Sequence, residues 1–156
     1  MRLVAPSYTV GAICLIERDD GRVLLVRQVY RNNWGVPGGL TKRGESIAAC
    51  ARREVYEEIG LPIELVGEPA VVVDAPPQRV DVVYRARLAD GADPDAAAPQ
   101  SPEIREVGWF ALDELPQLQH EAVSALAALA RASAQQARLL LPFEQLRPPT
   151  LGGLSA

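Results

Sequence analysis

The sequence predicts an α+β domain, on three observations. Five runs rich in β-branched and apolar residues are bounded by turn residues. One stretch, 47–59, repeats its apolar residues at helical spacing, and an alanine- and leucine-rich segment follows near the end of the chain. At 156 residues the chain has the size of one domain, able to bury about 70% of its unfolded surface without disulfides or a structural zinc. The expected organisation is a single domain over 1–141 followed by a Pro/Gly-rich tail over 142–156.

The first run, 8–17, reads YTVGAICLIE, and Asp19-Asp20-Gly21 supplies turn chemistry before a second run at 22–28, which together predict a β-hairpin. Residues 29–33 form a polar loop, and Pro37-Gly38-Gly39 predicts an abrupt backbone turn. Ser46 is placed to cap a helix whose stripe is Ile47, Ala48, Ala51, Val55 and Ile59, with Gly60 and Pro62 stopping it. Runs 63–74 and 79–88, joined by Ala75-Pro76-Pro77-Gln78, predict a second hairpin. Segment 91–102, dense in Ala, Pro and Asp without apolar period, is expected to be a mobile connection. Run 104–110 returns to the sheet, 113–115 is expected as a short turn of helix, and 117–141 as a helix with a break near Ser133. The tail from Pro142, with Pro148-Pro149 and Gly152-Gly153, is expected to be poorly ordered.

The chemistry concentrates in the first helix. Glu54 follows Arg53 directly, and Glu57 and Glu58 lie three and four positions after Glu54, which stacks three carboxylates on one arc. Such neighbours repel by about 0.2–0.5 kcal/mol per pair, so the arc calls for a cation. Several oxygen donors on one rigid element suit magnesium or manganese, ions that keep some waters and bridge to substrate phosphates.

The stretch 39–61, GLTKRGESIAACARREVYEEIGL, closely resembles the box of the Nudix hydrolases: Gly, five residues, Glu, seven residues, Arg-Glu-apolar-any-Glu-Glu-any-Gly-apolar. Gly39, Glu45, Arg53, Glu54, Val55, Glu57, Glu58, Gly60 and Leu61 fill every specified position. A chance match at one starting point is on the order of one in a billion from average residue usage. Weaker resemblance runs from about Tyr8 to Phe110, including the approach Trp34-Gly35-Val36-Pro37-Gly38-Gly39 and the closing pair Trp109-Phe110. The resemblance implies an α/β/α sandwich around a mixed, mainly antiparallel sheet. It also implies hydrolysis of a nucleoside diphosphate linked to another moiety, with Mg2+ as cofactor and Mn2+ as a substitute.

By the same resemblance Glu54, Glu57 and Glu58 are the metal ligands, Arg53 orients one of them, and Glu45 ties the preceding loop to the helix. The general base is a box glutamate in the first instance and Glu103 in the second, with Glu106 close by in sequence. Gly38 and Gly39 let backbone approach a phosphate near the N-terminal end of the helix. Arg27 and Arg31 either clamp phosphate through their forked donors or are solvated loop charges. Trp34, Tyr30, Tyr84 and Trp109 either stack on a base or pack in the core. Pro76 and Pro77 stand 15 and 16 positions after Leu61, a spacing that resembles the marker of ADP-ribose pyrophosphatases. His120, the only histidine, is expected on the surface.

The remaining features narrow the class. The net charge is −4 and the sixteen Lys and Arg are scattered, giving no basic field for nucleic acid or an anionic membrane. Cys14 and Cys50 lack zinc-like spacing and are expected as buried, reduced thiols. No leader-like segment or run of about 18 apolar residues is present, so the expectation is a soluble cytoplasmic protein with a small nucleotide substrate and, as in many relatives, a homodimer. ADP-ribose or a nucleotide sugar leads as substrate, ahead of a nucleoside triphosphate. A non-catalytic nucleotide sensor is the alternative from another class, and the isoprenoid diphosphate isomerase branch departs from the regular box that this chain keeps.

Overall fold

The computed structural model describes residues 5–139. In chain order they form β1 (Thr9–Ile16), β2 (Val23–Gln28), β3 (Gly38–Leu40), α1 (Ile47–Ile59), β4 (Ile63–Asp74), β5 (Arg79–Leu88), β6 (Ile104–Phe110) and α2 (His120–Leu139). A four-stranded sheet has the order β3-β1-β5-β4, with β1 parallel to β5 and the other two pairings antiparallel. Strands β2 and β6 make a separate antiparallel pair.

Alternation along β1 sorts the two sides of the sheet, because successive side chains in a strand point to opposite faces. Ala12, Cys14 and Ile16 enter one core with Cys50, Ala51, Val55 and Ile59 of α1. Ile13 and Leu15 enter the other with Ala125, Ala128 and Leu129 of α2. The result is the α/β/α sandwich that the resemblance implies. Fully buried aliphatic side chains such as Val55 and Ile59 each contribute about 1.5–3 kcal/mol relative to exposure. Cys14 and Cys50 are free and buried, as expected.

The first hairpin is a different object from the one expected. Glu17, just past the end of β1, bridges to Val23, and no further bridge joins β1 to β2 among the described residues. Both edges of β1 are already taken by β3 and β5, so β2 has no edge to join and pairs with β6 instead. Run 104–110 accordingly leaves the main sheet. The Gly38-Gly39 turn is also a strand, since Gly39 and Gly38 pair with Ala12 and Ile13. The β4–β5 hairpin has the expected bounds.

Segment 91–102 is held rather than loose. Asp93 caps a 3-10 turn at Pro94–Ala96, and Trp109 Nε1 donates to the Pro94 carbonyl at 3.0 Å. The amides of Ala98 and Gln100 donate to the carbonyls of Ile59 and Glu58 at 3.3 and 3.0 Å. Those are orphan acceptors at the end of α1 that the helix cannot satisfy internally. Residues 113–115 form no helix; the Glu114 amide closes a turn onto Ala111 at 3.0 Å. α2 passes through Ser133 without a break, and Arg85 Nη2 donates to the Ser133 hydroxyl at 3.3 Å. Residues 140–141 and the tail 142–156 lie outside the described residues. No described helix is long and apolar enough to cross a membrane.

Candidate active site

α1 is fixed at both ends by its own sequence. The Ser46 hydroxyl accepts from the Ala49 amide at 3.1 Å, and Gly60 ends the helix with φ of 77°. At about 100° per residue, Glu54 and Glu58 lie within roughly 40° of each other, and Glu57 lies about 60° from Glu54 on the other side. The first two face a cleft and the third points outward.

Arg53 organises the arc. Its Nε and Nη2 donate to Glu45 at 2.7 and 3.0 Å, and its Nη1 to Glu54 and Glu57 at 2.6 and 3.2 Å. Nη2 also reaches the Leu40 carbonyl at 3.2 Å. Glu45 accepts in turn from the Lys42 amide at 2.9 Å, so it ties the loop after β3 to α1. The hydrogen bond from Arg53, and then that amide, hold the Glu45 carboxyl down to about 2. The Arg53 guanidinium is raised, first by its bond to Glu45.

The cleft has a volume of about 450 Å³ and is lined by Glu54, Glu58, Glu103, Gly38 and Gly39, with Tyr30, Arg31 and Arg79 further along. Two glycines let the wall come close. A β-carbon on Gly38, whose φ is 154°, would overlap the Ala12 carbonyl, and one on Gly39 would overlap the Glu54 carboxylate. Backbone therefore lies directly against the acidic side chains. Glu58 is 9% exposed and accepts from the Gly38 amide at 3.0 Å. Burial pushes its carboxyl up to about 8, with further rises from Glu54, Glu103 and Glu57. Among the described residues, no three His, Cys, Asp or Glu side chains already converge as a metal cage.

The other candidates divide cleanly. Tyr30, 65% exposed, and Arg31 reach the cleft, whereas Arg27 and Trp34 do not line it. Arg27 pairs with Glu106, its partner across the β2–β6 ladder, and sits over the Trp34 ring at 5.4 Å. Trp34 packs edge-on against Phe110 at 4.8 Å. This engagement also removes Glu106 from the cleft and leaves Glu103 in it. Tyr84 and Trp109 pack against the α1-side core, Pro76 and Pro77 occupy the β4–β5 turn, and His120 is exposed at the start of α2. Sequence reasoning missed Arg79, Gln119 and Glu121, which reach the cleft from β5 and the start of α2. Tertiary pairing alone brings them there, and no local motif marks them.

A family model described as the NUDIX domain matches residues 7–132. A MutT-like protein of Streptomyces ambofaciens is 29% identical over 110 residues, covering 70% of this chain and 68% of that protein. The NAD-capped RNA hydrolase NudC of Mycobacterium tuberculosis is 32% identical over 140 residues; the match covers 88% of this chain and 41% of that relative's length. Among solved structures, an ADP-ribose pyrophosphatase from Streptococcus suis superposes with a TM-score of 0.65 at 30% identity, covering 81% of this chain and 92% of that one. With the box complete in sequence, assembled around Arg53 and matched across most of its length, the chain belongs to the Nudix hydrolase family and is a pyrophosphohydrolase.

Proposed function

We propose that this chain is a magnesium-dependent hydrolase of nucleoside diphosphates linked to another moiety, with ADP-ribose or a nucleotide sugar favoured. The observation that carries the reading is the cleft that gathers Glu54, Glu58 and Glu103 against the Gly38–Gly39 backbone. A carboxyl raised chiefly by burial and further by acidic neighbours fits a hard divalent ion, whose charge offsets both. Glu54 and Glu58 would hold the ion from the cleft and Glu57 from the outer side, with Arg53 fixing Glu54 and Glu57. When bound, Mg2+ or Mn2+ supplies positive charge for the phosphoryl oxygens and the departing phosphate.

The protein's own residues do the rest. Glycine backbone at 38 and 39 admits the diphosphate close to the carboxylates. Glu54 is engaged by Arg53 and Glu58 by the Gly38 amide. Glu103 holds no cation among the described residues and is therefore assigned the proton of the water that attacks a diphosphate phosphorus. Tyr30 at the rim is the aromatic residue placed to stack on a base. The relatives support the substrate class: NAD and ADP-ribose both carry a diphosphate between adenosine and a second ribose.

The test is a panel of ADP-ribose, NAD, nucleotide sugars, dinucleoside polyphosphates and nucleoside triphosphates, with and without Mg2+. Release of a nucleoside monophosphate from at least one compound is expected. Turnover unchanged in Glu57→Gln would remove the metal assignment, and tight binding without turnover across the panel would favour a sensor.

A further inference from the structure

We infer that Arg79 contacts substrate phosphate in this cleft and that the buried carboxylate of Asp81 positions it; this rests on the hydrolase reading above. Asp81 is 2% exposed, yet it lies two residues from the start of β5. Its two oxygens both accept from Arg79 Nε, each at 2.9 Å. That bond spends only one edge of the guanidinium. Among the described residues, Nη1 and Nη2 of Arg79 donate to no acceptor, although the side chain lines the cleft with Glu54 and Glu58. The other cleft arginine is differently placed: Arg31 Nη1 is engaged by Gln119 at 3.1 Å and by Glu121 at 3.2 Å.

The backbone makes room for this pair. Gly11 stands opposite Asp81 in the parallel β1–β5 register. A β-carbon there would lie 2.6 Å from Asp81 Oδ1, 3.1 Å from Arg79 Nη2 and 3.1 Å from the Gly39 carbonyl. Arg79 Nη2 and the Gly39 carbonyl thus border the same Gly11 gap, and Gly39 is the residue whose missing side chain admits Glu54. A cation and a carboxylate flank one glycine of an edge strand, with the cleft open to both. Asp81 is buried but the Arg79 side chain is 35% exposed, and an ion pair of this kind adds little net stability over an apolar pair of equal volume, whereas it fixes the direction of a long side chain. An arginine anchored through Nε presents its two Nη groups as a fork, a geometry that matches two phosphate oxygens. A diphosphate lying across β3 would place one phosphate by the carboxylates and their ion and the other against Arg79.

Arg79→Lys keeps the charge beside Asp81 and removes the fork. The double variant R79Q/D81N replaces the ion pair by a neutral hydrogen-bonded one and so keeps a folded control for the buried site. Two readouts apply to both: steady-state kinetics on the best panel substrate, and calorimetric titration with ADP in the presence of Mg2+. Expected in each variant is a KM and an ADP Kd raised by about tenfold or more, with kcat within about threefold, the size of a lost charge-assisted bond. If turnover occurs and both constants stay within twofold of the parent, Arg79 is a strand-end ion pair only, and the inference is overturned while the hydrolase reading stands. If the panel is silent but ADP binding weakens tenfold in the variants, the phosphate contact holds and the hydrolase reading falls.

Discussion

Glu58→Gln in the metal-free protein gives the sharpest test of the site's electrostatics. The carboxyl moves from an ordinary 4.5 to about 8 on folding, chiefly through burial. A raised carboxyl means that the folded state binds the proton more tightly than the unfolded state. Its contribution is therefore fully present below about 4.5 and is lost as pH rises to about 8. At 1.36 kcal/mol per tenfold change in proton affinity, the loss is on the order of 3 to 5 kcal/mol. The glutamine variant keeps an oxygen for the Gly38 amide and has nothing to titrate. Urea unfolding in a chelator, followed by Trp34 and Trp109 fluorescence, should show similar stability for the two proteins near pH 4. By pH 9 the variant should be the more stable by a few kcal/mol. Added Mg2+ should restore the parent at pH 8 to 9 and act much less on the variant. Parallel stability profiles, differing by under about 1 kcal/mol from pH 4 to 9, would refute the reasoning.

Arg53→Lys cannot serve Glu45, Glu54, Glu57 and the Leu40 carbonyl together; kcat should fall about 10- to 100-fold and the Mg2+ requirement should rise, and unchanged metal titrations would count against the orienting role. Glu45 is held near 2, so its contribution is present above about 4.5 and lost as pH falls toward 2. Glu45→Gln should flatten that acid limb in urea midpoints measured from pH 2 to 5, whereas identical limbs would exclude it. Gly38→Ala forces a β-carbon into the Ala12 carbonyl at φ of 154°. It should cost roughly 1 to 3 kcal/mol, read as a lowered urea midpoint, and an unchanged midpoint would contradict the close approach.

Helix α1 was legible to the residue because its signals are local: a serine cap, a stripe at helical period and a glycine stop act within one segment. Spacing offered the Arg53–Glu57 pair and the resemblance an orienting role for Arg53, whereas the bonds from Arg53 to Glu45 appear only in the folded loop. The strand partners were not legible in this way. Asp19-Asp20-Gly21 makes a turn as its chemistry requires, but whether the strands flanking it pair depends on which edges other strands occupy. Arg27 and Trp34 show the same limit. Their residue types suit phosphate and base, yet Glu106 meets Arg27 across the β2–β6 ladder and the Phe110 ring packs edge-on against Trp34.

By itself the sequence determined that this is an α+β hydrolase domain and which helix bears its carboxylates, because a helix fixes side-chain directions from spacing alone. Only the tertiary structure decided what faces those carboxylates. It turned Glu58 inward and Glu57 outward, drew Glu103 into the cleft and Glu106 out of it, and carried Arg79 into the cleft through a parallel pairing seventy positions apart in register. Burial and strand pairing set those outcomes, and both are properties of segments distant in the chain.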